Sequence, residues 1–315
     1  MSGTSDLFLA SALDVVPRAL GFCDRDPDSA TYGCCDRTYW HYKLIDVANA
    51  RFQEAALLFA LAYATPAEGN VFFGQAKLLG WIRGAWRFWL NRRNRDGSTS
   101  ELYPSERCFC STAFTAAAFA ETVYLLGGHA AWKEELRLAA PTFRWLAREA
   151  AAETANQMAA SLQALTAYAS ATELPEFRDL AAVRSRELLA LERADGVFPE
   201  YGGFDSGYQS ITLSCLARTE SYEPGDMART EAARRAASAL SSRIDDKGRV
   251  DVSANSRGTQ FLYPYGLACQ KNGRSDLLAS ALRAKSALQP SWMDDRYCVP
   301  LAIDYLFAAR FLGSC

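Results

Sequence analysis

The chain has 315 residues, half of them hydrophobic and 22% charged, which supplies a sizeable core and excludes a disordered chain. Lys plus Arg number 34 against 36 Asp plus Glu, a net charge of −2, so the basic excess of a nucleic-acid binder is missing. No run of about 18 apolar residues is free of charge, so no membrane span is expected.

Apolar residues recur at helical spacing almost throughout, and alternating β-branched runs are nearly absent. The pattern predicts helices over about 5–16, ending before Pro17, then 47–64 and 72–93. Next come 108–126 and 131–149, the latter bent or broken at Pro141, followed by 153–171 and 175–193. The series ends with 207–220, 226–243, 261–271, 275–288 and about 298–312. Segments 108–126, 153–171 and 207–220 are apolar or small on most faces, as helices buried all round should be. Those that follow them carry charge on one side and read as an outer layer. Inner–outer pairing, with the first helix returning to the last, predicts an all-α (α/α)6 toroid of about six helical hairpins in a single domain. An open helical solenoid is the rival.

The nine cysteines contain no CxxC pair, and His41 and His129 are the only histidines, so neither a metal nor another cofactor is expected. Reduced thiols in a cytoplasmic protein are the simplest reading, and the first 20 residues lack the basic start of a signal peptide. His129 falls in a short turn and is expected to be solvated.

In a ring of hairpins the outer-to-inner connections gather at one mouth. Here these are long, about 17–46, 94–107, 194–206, 244–260 and 289–297, and they carry most of the polar and aromatic clusters. The first holds Arg37, Trp40, His41 and Tyr42; the second Tyr103, Glu106 and Arg107. Asn156 and Gln157 open the third inner helix. Glu200, Tyr201, Asp205 and Tyr208 come from the fourth cluster, and Arg257 and Tyr263 from the fifth. Structural roles compete at each. Asp96-Gly97 and Asp195-Gly196 are turn dipeptides, the arginines suit carboxylate forks, and the tryptophans suit packing.

Three stretches carry a resemblance: Asp96-Gly97-Ser98 with Glu101-Leu102-Tyr103-Pro104-Ser105-Glu106, Asp195-Gly196-Val197-Phe198-Pro199-Glu200-Tyr201-Gly202-Gly203, and Tyr32-Gly33-Cys34-Cys35-Asp36-Arg37-Thr38-Tyr39-Trp40-His41-Tyr42. Together they resemble heparinase II/III-like proteins, the α/α-toroid polysaccharide-lyase-like proteins of bacterial polysaccharide gene clusters. That resemblance implies β-elimination on a uronate-containing or other anionic glycan, with amides and Arg offsetting the uronate charge while Tyr and His move protons. Asn156-Gln157 stands where such lyases often carry Asn-His, and an amide cannot act as the base.

Elimination next to a carboxylate needs its charge offset and a base of tuned pKa. Asn156, Gln157 and Arg257 are the expected anion holders. His41 is the expected proton carrier, with Tyr103 or Tyr263, its phenol lowered by a nearby Arg. Substrate contacts are expected from Arg37, Trp40, Tyr42, Arg107, Tyr201, Asp205 and Tyr208. The alternatives are a glycoside hydrolase pairing carboxyls among Glu106, Glu200 and Asp205, a terpenoid-type cyclase, or a non-catalytic scaffold for glycan biosynthesis. The acidic pairs Asp245-Asp246 and Asp294-Asp295 do not extend into a cyclase motif.

Overall fold

The structure is a computed structural model that describes residues 3–172, 174–271 and 274–313. The expected connections 172–174 and 272–274 each include residues outside those described. The described residues are all-helical, with isolated bridges but no strand. Helices α1 (Thr4–Leu13), α2 (Val16–Phe22) and α3 (Arg37–Trp40) precede α4 (Ala55–Ala64), which a 3-10 turn over Ala50–Glu54 introduces. Then follow α5 (Ala76–Arg92), α6 (Phe109–Leu125), α7 (Gly128–Arg148), α8 (Ala155–Thr172) and α9 (Pro175–Leu189). The rest are α10 (Ser206–Tyr222), α11 (Met227–Ser241), α12 (Pro264–Ala268), α13 (Ser275–Arg283) and α14 (Cys298–Gly313).

Inner helices α4, α6, α8, α10, α12 and α14 pack in that order, and α14 packs back on α4, closing an α/α toroid. They can do so because they present apolar or small residues on nearly every face: Ala55 through Ala62 are all buried in α4, as are Ala113, Ala116, Phe119 and Ala120 in α6. Outer helices bury one side only. Trp86 and Trp89 of α5 lie against Phe119 of α6, the Trp89 ring stacked at 5.4 Å. Phe143 of α7 stacks on Tyr168 of α8 at 3.7 Å, and Phe177 of α9 meets Tyr168 edge-on. Helix α1 packs on α14, where the Ser5 hydroxyl donates to the Ala309 carbonyl at 2.9 Å.

Several boundaries differ from the sequence expectation. The first helix ends at Leu13, and Pro17 lies in the first turn of α2, where its missing N–H costs nothing. Helix α7 runs through Pro141; its departure from helical dihedrals is at Trp132, with φ −127°. The helix expected over 261–271 is only five residues long, because Pro264 sets its first turn and the preceding residues run extended. His129 is exposed, as expected, but it lies in the first turn of α7 and not in the connecting turn.

The long connections are fastened to the outer helices by their turns. Gly97 has φ 96°, and a Cβ there would lie 2.6 Å from the Pro141 backbone of α7. Gly196 has φ 80° and would similarly meet the Arg235 backbone of α11 at 2.7 Å. Only glycine tolerates both the left-handed backbone and this approach. The preceding aspartates complete the turns: Asp96 accepts from the Ser98 N–H at 3.0 Å and Asp195 from the Val197 N–H at 3.2 Å.

Candidate functional site

The connections meet at one mouth of the ring through a chain of direct contacts. Asp295 takes the Arg18 guanidinium at 2.6 Å and lies 3.8 Å from that of Arg37, while neighbouring Arg296 pairs with Glu101 on the 94–107 loop. The Tyr297 ring lies 6.1 Å from Phe261. On the far side, the Ser256 N–H donates to the Phe204 carbonyl at 2.8 Å and the Tyr201 N–H to the Glu153 carbonyl at 2.8 Å.

Glu200 is the best-developed chemical group in this mouth. It is 2% exposed, between the start of α8 and the 255–259 loop. Its Oε2 accepts from Asn156 Nδ2 at 2.6 Å, and the Ser256 hydroxyl donates to its main-chain carbonyl at 2.9 Å. Burial pushes its carboxyl up to about 7; hydrogen bonds from Asn156 and the nearby Arg257 charge oppose that rise without cancelling it. Such a group exchanges a proton near neutral pH. Arg257 is exposed and rests 4.5 Å over the ring of Tyr201, which is exposed and left-handed at φ 49°. Tyr208, half-buried, completes the cluster. Burial, then nearby Tyr297, pushes its phenol up to about 12, against the pull of Arg257. Gln157 is half-buried beside Asn156.

The sequence expectation of a lowered phenol is therefore corrected. Tyr263 is buried in the barrel, and desolvation holds its phenol well above its ordinary value despite Arg51 nearby. A phenol in this state keeps its proton near neutral pH and does not serve as the base.

Two other carboxylates are already engaged. Glu106 accepts the backbone N–H groups of Glu101 and Leu102, both at 2.7 Å, and that of Tyr103 at 3.4 Å, clamping its own loop. Asp205 caps α10 through the Gly207 and Tyr208 N–H groups at 3.0 and 3.1 Å, while its other oxygen takes those of Arg257 and Thr259 at 3.1 and 3.2 Å. Asp205 also lies near enough to Glu200 for its charge to add to the rise of that carboxyl.

The remaining expected residues form separate groups. The exposed His41 ring lies 5.1 Å from Trp40 and 4.9 Å from Tyr42, and Trp40 Nε1 donates to the Phe22 carbonyl at 2.6 Å. Arg37 lies over the Phe22 and Tyr42 rings at 5.7 and 5.5 Å. Tyr103 is 68% exposed, and Arg107 pairs through Nε with Asp96 of its own loop at 3.1 Å, a single contact and not a fork between loops. Among the described residues, no contact of His41 reaches Glu200, Asn156 or Arg257.

Sequence reasoning missed a polar network along the axis of the ring. Arg218 of α10 lies between Glu121 of α6, at 3.4 Å, and Asp304 of α14, at 3.0 Å. Asp304 also accepts from the Ser214 hydroxyl and from the Tyr265 N–H at 2.8 Å; Glu121 accepts from the Tyr222 hydroxyl at 3.1 Å. Burial pushes both carboxyls up. Burial also works against the Arg218 charge, but Glu121 and Asp304 carry the guanidinium above its ordinary value. Above this network a cavity of about 30 Å³ is lined by Glu54, Gln163 and Tyr263 among others. The available signal was a charge set among apolar and small residues of an inner helix: Glu121 alone in α6, Arg218 a turn before the end of α10, and Asp304 in the middle of α14.

Among the described residues no group of three His, Cys, Asp or Glu could hold a metal ion, and no helix is long and apolar enough to cross a membrane. The toroid is shared with solved polysaccharide lyases. One polysaccharide lyase aligns over 97% of this chain and 98% of its own, with a TM-score of 0.62 at 12% identity. Chondroitin AC lyase of Streptomyces coelicolor A3, in complex with chondroitin sulphate, aligns over 99% of this chain with a TM-score of 0.58 at 12% identity. This chain covers only 45% of that enzyme. No family model matches the sequence, and no curated protein does.

Proposed function

We propose that the chain is a glycan-directed, lyase-like enzyme that cleaves a uronate-containing or other anionic glycan by β-elimination at Glu200. The observation that carries this reading is one carboxyl, raised to about 7, among an amide, an exposed guanidinium and a neutral phenol. Arg257, with Gln157, offsets the uronate carboxylate as negative charge gathers in the enolate-like intermediate. Glu200, ionised, removes the proton next to that carboxylate, and Tyr208 gives its proton to the departing glycosidic oxygen. The C–H and C–O bonds break, a C=C bond forms, and total mass is unchanged. Asn156 orients the Glu200 carboxylate. His41, Trp40 and Tyr42 offer stacking surface to sugars further along the mouth, and Arg37, Tyr103 and Arg107 offer polar contacts at its rim. The fold shared with polysaccharide lyases supports this reading, as does the resemblance of the 32–42, 96–106 and 195–203 stretches to heparinase II/III-like proteins. Hydrolysis, which would pair Glu200 with a second carboxylate, is less well supported because both oxygens of nearby Asp205 already accept two backbone N–H groups each.

The test is incubation with a panel of uronate glycans, read by ultraviolet absorbance of the conjugated product and by mass spectrometry. Cleavage at unchanged total mass, abolished by Glu200→Gln, is expected. Products heavier by one water, or no cleavage of any uronate glycan, would overturn the assignment.

A further inference from the structure

A second cavity, of about 200 Å³, opens between the 39–50 segment and the end of the 94–107 loop, and it shares no lining residue with the Glu200 cluster. Its floor is apolar: Phe88 and Trp89, from the last turns of α5, are both buried. Behind them the Ala50 N–H donates to the Ser100 carbonyl at 3.2 Å, joining the two loops into one wall. Arg92 props the side, its guanidinium 5.5 Å from the Tyr39 ring and 5.2 Å from that of Phe88.

The rim is polar and largely uncommitted. Asp46 and Ser105 are exposed and line the cavity, and among the described residues their side chains make no hydrogen bond or ion pair. Asn49 uses its Oδ1 to accept from the Arg51 N–H at 2.9 Å, which leaves its Nδ2 as a donor. Ser105 holds φ 59°, the left-handed region, where a glycine would sit more easily. An aromatic floor with a carboxylate, an amide donor and a hydroxyl at its edge has the chemistry that recognises a sugar ring. The C–H face packs on the half-buried Tyr39 and the Phe88 edge, with Trp89 beneath already stacked on Phe119, and the ring hydroxyls donate to the carboxylate and accept from the amide. Asp46 and Arg92 both line the cavity, a balance of charge that favours a neutral ring over a polyanion, and the volume admits one ring rather than a chain.

We infer that this cavity is a binding site for a single hydroxyl-bearing pyranose, a terminal or branch sugar, separate from Glu200. The site needs only binding, so it stands or falls independently of the elimination chemistry. Saturation-transfer NMR and calorimetry on the full chain test it with glucose, galactose, mannose, N-acetylglucosamine and glucuronate. At least one neutral sugar is expected to bind. Asp46→Ala should weaken that binding at least 10-fold with an unchanged circular dichroism spectrum, while Glu200→Gln leaves it unaltered. Ser105→Gly, which keeps the backbone and removes the hydroxyl, should weaken it to a lesser extent. The inference is overturned if no neutral sugar binds, if binding survives Asp46→Ala undiminished, or if it disappears with Glu200→Gln.

Discussion

Replacing Glu200 with Gln tests the physical basis of the site without requiring its substrate. The amide keeps the shape and can still accept from Asn156 Nδ2, but it cannot ionise. In the native protein burial lifts this carboxyl from 4.5 to about 7. Between those values the folded state holds a proton that the unfolded chain has released, so stability falls as pH rises through the interval and stays reduced above it. At about 1.4 kcal/mol per unit the full difference is about 3 kcal/mol. Glu200→Gln should therefore be nearly neutral at pH 4.5 and should stabilise the protein at pH 8 by up to about 3 kcal/mol. At roughly 2 °C per kcal/mol for a large domain, the melting temperature would rise by about 6 °C. Urea unfolding of both proteins at a series of pH values provides the assay. The reasoning is refuted if the two stability curves stay parallel from pH 4.5 to pH 8. Under the proposed mechanism the same variant should lose about 100-fold or more in kcat.

Two further substitutions probe groups that hold the mouth in place. Arg218→Met leaves Glu121 and Asp304 buried around a missing charge and should cost about 3–5 kcal/mol in urea unfolding. Adding Glu121→Gln and Asp304→Asn should recover much of that loss, whereas no recovery would show that the charges are not what the arginine serves. Asp205→Ala removes the cap of α10 and the acceptor for two N–H groups of the 257–259 segment. It should cost about 2 kcal/mol or more and speed hydrogen exchange at Arg257 and Thr259, so unchanged exchange there would contradict the assignment.

The ring was legible because its two layers differ in composition: α6 and α8 are apolar or small all round, while α7 and α11 carry charge on their outer sides. The turns at Asp96-Gly97 and Asp195-Gly196 were legible for a local reason, since the dipeptide itself encodes the bend. Which carboxylates remain available was not legible. Glu106, Asp205 and Glu200 all sit in polar loops, and only the folded chain decides that Asp205 gives both oxygens to backbone N–H groups and Glu106 one, while burial outweighs the Asn156 hydrogen bonds at Glu200. The direction of the tyrosine shifts was hidden too, because nearby arginines can be guessed from sequence but desolvation cannot. The Glu121–Arg218–Asp304 network joins residues 86 and 97 positions apart, and nothing in the chain order pairs them. Pro141 misled because its ring was taken as a break, whereas α7 continues through it.

The pairing of α1 with α14 has a consequence for how the molecule comes into being. The Ser5–Ala309 hydrogen bond closes a loop of 304 residues, and α14 is also the wedge between α12 and α4. Contacts of such separation are slow to form and give nothing back until nearly the whole chain has been arranged. On the ribosome, hairpins from α4 onward can assemble pairwise, each covering one flank of its predecessor. The apolar flank of α4 that awaits α14 stays bare until α14 emerges. Nascent chains stalled before residue 298 should therefore hold an unsealed arc with bare apolar surface, and emergence of α14 is the step that closes the ring.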